Sequence, residues 1–248
     1  MNDCAWGPKL VPTRWCSSES AESDAPTMTE TAIAILAKAP VPGTVRTPLI
    51  PLLGAESAAT LYERCTDHAI AAAIEADIGP VELWCRPTML NSFFAEMARK
   101  HPITLRVQGS GDLGMRLFRT FEALLSAHPH AIVMGSNCPA VMSVHLRMAA
   151  EALEEGFDAA FVPMENGRCA LGALRKASEE VFKDLSWTTG SAMDAMVSRL
   201  RDARWRWLDL PALWDLDAPG GFARLAADPL LKHLAEGLEP TIPRSAAR

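Results

Sequence analysis

From Glu30 onward, short apolar runs alternate with longer amphipathic stretches. Thr31–Ala37 is an apolar run of strand length, and Ala55–Ala76 follows with Leu61, Cys65, Ala69 and Ala72/Ala73 at helical spacing. The same alternation predicts strands over Val81–Cys85, Thr104–Gln108, His130–Met134, Ala159–Val162, Ala170–Leu174 and Trp205–Leu210. Helices are predicted over Met89–Lys100, Leu113–Ala127, Val144–Glu155, Gly190–Arg201 and Gly220–Ala227, with a further helical piece at Leu230–Ala235. Strand–helix succession of this kind implies a single-domain α/β fold, a mostly parallel sheet with helices on both faces. Ligands on such sheets bind at the carboxyl ends of the strands. The loops after the first, third, fourth and fifth strands are therefore the ones that carry chemistry.

The ends of the chain break the pattern. Residues 1–29 are Ser/Glu/Pro-rich and aperiodic, which predicts a disordered extension with no secretory signal core. Met28 stands just before the first strand and is an alternative start of translation. Residues 30–236 form the expected domain and 237–248 a polar tail. Of the 248 residues, 49% are hydrophobic, enough for a full core, and the net charge of −6 argues against nucleic acid as a partner. No apolar run reaches membrane-span length. The six cysteines show no CxxC spacing, which reads as reduced thiols in a cytoplasmic protein. Cys138 reads as a small core or loop residue.

Three loops hold the candidate chemistry. After the first strand, Lys38 and Arg46 flank a loop opened by Pro40, Pro42 and Gly43, and a helix follows. Strand, basic loop and helix N-terminus together make a phosphate site. Solvated surface charge is the plain alternative for both cations. Gly109-Ser110-Gly111-Asp112 opens a later helix. Asp112 reads as its N-cap or as a catalytic acid, and Arg116, one turn on, as a phosphate ligand or a surface charge. Gly135-Ser136-Asn137-Cys138-Pro139 follows the fourth strand. There is no G-x-S-x-G elbow, and no G-x-G-x-x-G follows the first strand, so a serine hydrolase and a dehydrogenase are both disfavoured.

Six blocks in register complete the picture: AKAPVPGTVRTPL (37–49), GSGDLGMRL (109–117), IVMGSNCPA (132–140), PMENGRCALGAL (163–174), LSWTTGSAM (185–193) and WDLDAPGGFARL (214–225). In these blocks the chain resembles small bacterial GT-A-type transferases, the arsenosugar-biosynthesis or radical-SAM/selenodomain-associated glycosyltransferases of the nucleotide-diphospho-sugar transferase superfamily. The molybdopterin and phospholactate guanylyltransferases are more distant relatives. The resemblance implies a nucleotide-diphospho-sugar donor, a small-molecule acceptor and a divalent cation, Mg²⁺ or Mn²⁺. It implies that Lys38, Gly43, Arg46, Arg116 and Ser136 hold the nucleotide. Asn137, Asn166 and Asp112 then fall at catalytic positions, and Glu165, Arg168, Trp187 and Thr189 on the substrate side. Asn137 falls at the implied metal position, and with Asn137 and Asn166 in place of acids, Asp215 and Asp217 are the best remaining metal candidates. Asp215 pairs with Asp217 on an extended segment, and Asp217-Ala218-Pro219 is also a plain helix-start signature. Thr189 doubles as a helix cap.

The chain also departs from that pattern. Pro48 stands where the relatives have arginine, which removes a cation and a backbone donor. Asn137 stands where they have aspartate, keeping one oxygen without the charge, so the implied cation site is weakened and not excluded. Asn166-Gly167-Arg168-Cys169 replaces Asp-Gly-Gly-Tyr, exchanging a second acid for its amide and a glycine for arginine. Two readings account for this: a transferase site retuned with Arg168 supplying charge, or a homologue that binds nucleotide without turnover. A nucleotidyltransferase on the same fold is the alternative activity.

Overall fold

The computed structural model describes residues 30–185, 187, 191–218 and 220–240. Seven strands form one sheet: β1 (Thr31–Lys38), β2 (Val81–Arg86), β3 (Thr104–Val107), β4 (His130–Gly135), β5 (Ala159–Pro163), β6 (Cys169–Leu174) and β7 (Trp207–Asp209). Their order is β3-β2-β1-β4-β6-β5-β7. β1 pairs in parallel with β2 and β4, and β5 with β7, whereas β6 runs antiparallel to both β4 and β5. The mostly parallel sheet expected from the sequence is present. The reversal at β6 follows from connection length, because the few residues after Pro163 suffice for a hairpin and not for a parallel crossover.

Eight α-helices accompany the sheet among the described residues: α1 (Ile50–Leu53), α2 (Ala55–Ala76), α3 (Ser92–Lys100), α4 (Leu113–Leu125), α5 (Ser143–Glu154), α6 (Glu179–Phe182), α7 (Ala192–Asp202) and α8 (Gly221–Ala227). The segment Leu230–Ala235 holds only a short 3₁₀ turn, over Lys232–Ala235. The third helix starts at Ser92 instead of Met89, where Asn91 caps it by accepting from the Phe93 amide at 3.0 Å. The strand expected over Trp205–Leu210 shortens to Trp207–Asp209, the three residues that find a partner in β5.

Alternation along β1 sorts its side chains between two cores. Ile33 and Ile35 join Ala69, Ile70, Phe94 and Leu146 beneath α2, α3 and α5. Ala32 and Ala34 join Phe121, Phe161, Phe182 and Met196 on the face covered by α4, α6 and α7. A third cluster, with Leu53, Leu61, Trp214, Phe222 and Leu225, fastens α1, α2 and α8 to the segment after β7. None of the described helices is long and apolar enough to cross a membrane.

Candidate functional site

A cavity of about 560 Å³ opens at the carboxyl ends of β1 and β4, where the sheet topology predicts a ligand. It gathers Lys38, Arg46, Arg116, Ser136, Asn137, Arg168, Trp187 and Asp217. The other predicted residues take different places. Gly43 sits in an exposed turn with φ of +84°, behind Pro42, a conformation that suits glycine. Asp112 caps α4, accepting from the Met115 amide at 2.9 Å. Glu165 faces solvent and pairs with Arg224 at 2.9 Å. Asn166 is exposed and donates from Nδ2 to Asp215 Oδ2 at 2.9 Å. Thr189 lies outside the described residues.

Arg46 lines the cavity as a buried cross-link. Only 5% of it is accessible. Its Nη1 donates to Asp217 Oδ1 at 3.2 Å, its Nη2 donates to the Ser136 carbonyl, and its guanidinium lies 5.7 Å from the centroid of the Tyr62 ring. The loop after β1, the loop after β4 and the segment after β7 are thereby tied together. Tyr62, the only tyrosine in the chain, accepts from the Lys38 amide at 2.6 Å. Burial pushes its phenol above the ordinary range, against the opposing pull of that amide and of Arg46. It therefore serves as a neutral hydroxyl.

Asp215 is the second hub. It is buried and accepts from Arg168 Nη1 at 2.7 Å, Asn166 Nδ2 at 2.9 Å and the Asp217 amide at 3.0 Å. Gly221 makes this possible. A Cβ there would stand 2.3 Å from the Leu216 carbonyl oxygen and 2.6 Å from that of Asp215.

Arg116 differs from both. It is 9% accessible and lines the cavity, yet its buried Nε and Nη1 have no hydrogen-bond partner among the described residues. Burial and the like charge of Arg86 both lower its pKa, although a guanidinium stays protonated. Arg86 is itself register partner to Lys38 across β1 and β2. Like charges set side by side disfavour folding unless an anion joins them. Among the described residues four cations, Lys38, Arg46, Arg116 and Arg168, line the cavity against one carboxylate, Asp217.

Aromatic side chains form the other wall. Trp187 stacks on Phe182 at 5.8 Å and donates from Nε1 to the Phe182 carbonyl at 3.2 Å. Gly114 on α4 leaves room for both, because a Cβ there would fall 2.3 Å from the Phe182 oxygen. Asn137 directs Nδ2 at the Met164 sulfur, 3.8 Å away. Cys138 donates to the Trp214 carbonyl at 3.0 Å, and burial pushes its thiol and that of Cys169 up to about 12, which rules out either as a thiolate nucleophile at neutral pH. Sequence reasoning missed Tyr62 and Gln108. Gln108 donates to the Ala37 carbonyl at 3.0 Å and the Trp84 carbonyl at 2.8 Å, clamping the ends of β1 and β2. Its place directly after a strand was the available signal.

The residues expected to hold a divalent cation do not fit one. Such an ion needs anionic oxygens free to coordinate it. Asp217 is paired with Arg46, Asp215 with Arg168, and Asn137 brings no charge. Among the described residues no three His, Cys, Asp or Glu side chains gather as a metal cluster.

This architecture, with its cavity at the strand ends, is the fold of the nucleotide-diphospho-sugar transferases. A family model described as an uncharacterized protein conserved in bacteria (DUF2064) matches residues 69–189. The chain is similar to the crystal structure of a protein from Desulfovibrio desulfuricans G20 named as a candidate nucleotide-diphospho-sugar transferase. Identity is 25% and the TM-score 0.69, over 77% of this chain and 84% of that one. Two others share the fold alone. One is a 4-diphosphocytidyl-2C-methyl-D-erythritol synthase from Anaerococcus prevotii, at 10% identity and TM-score 0.51 over 78% and 95% of the two chains. The other is a nucleotidyl transferase from Methanothermobacter thermautotroptrophicus, at 14% identity and TM-score 0.50 over 82% and 97%. No curated protein matches the chain.

Proposed function

We propose that this protein is a transferase that binds the diphosphate of a nucleotide-linked sugar in the cavity and passes the sugar to a small-molecule acceptor. The observation that carries this reading is Arg116, a buried guanidinium that lines a cationic cavity while two of its nitrogens lack partners among the described residues. A desolvated cation without a counterion is costly, and a bound phosphate supplies one. Lys38 and Arg116 meet the diphosphate, the Ser136–Asn137 loop faces the ribose, and the Phe182–Trp187 wall shapes the acceptor side. Attack by an acceptor hydroxyl forms a new oxygen–carbon bond at the anomeric carbon, releases the hydroxyl proton to solvent and breaks the bond to the diphosphate oxygen. The electron pair leaves with that oxygen, where fixed cations stabilise it most. Likeness to the arsenosugar-type and radical-SAM-associated transferases favours a small-molecule acceptor. Nucleotidyl transfer is the second reading, favoured by the cytidylyl- and nucleotidyltransferases that share the fold.

Calorimetric titration with UDP-, GDP-, ADP- and CDP-sugars and with nucleoside triphosphates tests both. Binding of one diphospho-sugar, weakened about tenfold or more in Arg116→Leu, is the expected result. Pyrophosphate release from a triphosphate selects the second reading. Unchanged affinity in the folded variant removes Arg116 from the site.

A further inference from the structure

The two aspartates beside the cavity are already committed to guanidinium groups. Arg46 cannot give up Asp217 by turning to solvent, because it is buried, bonded to Ser136 and packed over Tyr62. Asp215 has one oxygen occupied by Arg168 and Asn166 and the other by the Asp217 amide. A cation entering between these carboxylates would either displace a guanidinium or sit beside it, and each outcome sets like charges together in a poorly solvated space. The charge balance points the same way. Among the described residues four cationic side chains line the cavity, and Asp215 with Asp217 supplies two carboxylates, leaving an excess of two positive charges. The doubly ionised diphosphate of a nucleotide-linked sugar balances that excess without a metal.

We infer that this site binds its diphosphate ligand without a divalent cation, and that Arg168, held by Asp215 at the cavity edge, occupies the electrostatic role of the ion. The inference rests on the reading of the cavity as a diphosphate site. Arg168 is suited to the part. Its side chain is 31% accessible, so it reaches the ligand, while Asp215 beneath it is 1% accessible and fixes its direction. A planar guanidinium with several N–H donors matches phosphate oxygens in geometry as well as charge. Asn137 fits the same scheme, because an amide there presents no charge that would call for a metal.

Two measurements test this. In the first, UDP, GDP, ADP and CDP are titrated calorimetrically into the protein in EDTA, and again in excess Mg²⁺ or Mn²⁺. The expected affinity of the nucleotide that binds is the same with and without metal, and about tenfold lower in Arg168→Gln. Affinity that rises about tenfold or more with Mn²⁺ overturns the inference, as does an Arg168→Gln variant that binds like wild type. In the second, Mn²⁺ alone is titrated and followed by electron paramagnetic resonance. The wild-type protein is expected to leave the free-ion signal undiminished, and the double variant Asn137→Asp, Arg168→Gly to bind the ion. Wild-type binding abolished by Asp217→Asn overturns the inference. Should no nucleotide bind under any condition, the diphosphate reading fails, and the Mn²⁺ titration still decides whether the aspartates hold a cation.

Discussion

Replacing Arg46 with methionine tests whether the site is held together by its buried cross-link. Methionine retains much of the apolar stem and deletes the guanidinium. Asp217, 17% accessible, then loses its counterion, and the Ser136 carbonyl loses a donor. Removing one member of a buried ion pair costs about 3–5 kcal/mol. Residual solvent at Asp217 places this case at the lower end, about 3 kcal/mol. For a domain of this size that corresponds to a fall in thermal midpoint of about 6–12 °C. Arg46 also holds a left-handed backbone, with φ of +48°, so the structure maintains it against a local preference. Urea denaturation followed by circular dichroism at neutral pH measures the loss. A double-mutant cycle with Asp217→Asn isolates the pair, with an expected coupling of about 1–2 kcal/mol. A loss below about 1 kcal/mol, the range of exposed ion pairs, refutes the cross-link, as does strict additivity in the cycle.

Other outcomes follow from single contacts. Asp112→Ala should lower stability by about 1 kcal/mol, as a lost N-cap does, and leave nucleotide affinity unchanged in calorimetry; lost affinity would restore Asp112 to the site. Gly114→Ala should destabilise by about 1–3 kcal/mol in urea and shift tryptophan emission, because its Cβ displaces Phe182 or Trp187. At Asp67, burial raises the carboxyl pKa, but His101 and Lys100 hydrogen bonds outweigh it and the net shift is downward. The depressed value means stabilisation above the ordinary carboxylate range that disappears as pH falls through the folded value. Asp67→Asn should therefore cost less than about 1 kcal/mol at neutral pH, given its partial exposure, and nothing in acid; denaturation across pH checks this.

Features carried by neighbouring residues were legible in the sequence, and features carried by distant ones were not. The bounds of α2 could be read from periodicity alone, because its buried stripe spans many turns. The capping role of Asp112 was one of two local readings, and the Met115 contact realises it. Lys38 and Arg116 could be placed at the cavity from strand order and loop position. The burial of Arg46 was hidden because its partner, Asp217, is 171 positions away. Arg168 could be recognised as an added charge, but Asp215, the residue that aims it, is 47 positions on. The demand on Gly114 was equally invisible, since it is set by the Phe182 carbonyl and the Trp187 indole far along the chain.

The position of β1 has a consequence for what counts as the folding unit. The segment that the family model matches, residues 69–189, begins inside α2 and excludes β1. β1 is the strand that joins β2 to β4. A chain cut to those limits would hold two separate ribbons, β3-β2 and β4-β6-β5, with no strand to bridge them and with Lys38, Arg46, Asp215 and Asp217 gone. The stretch that sequence comparison recognises is thus a slice of a domain. Both the strand that bridges β2 to β4 and the Arg46–Asp217 pair that ties the early loop to the segment after β7 lie outside it.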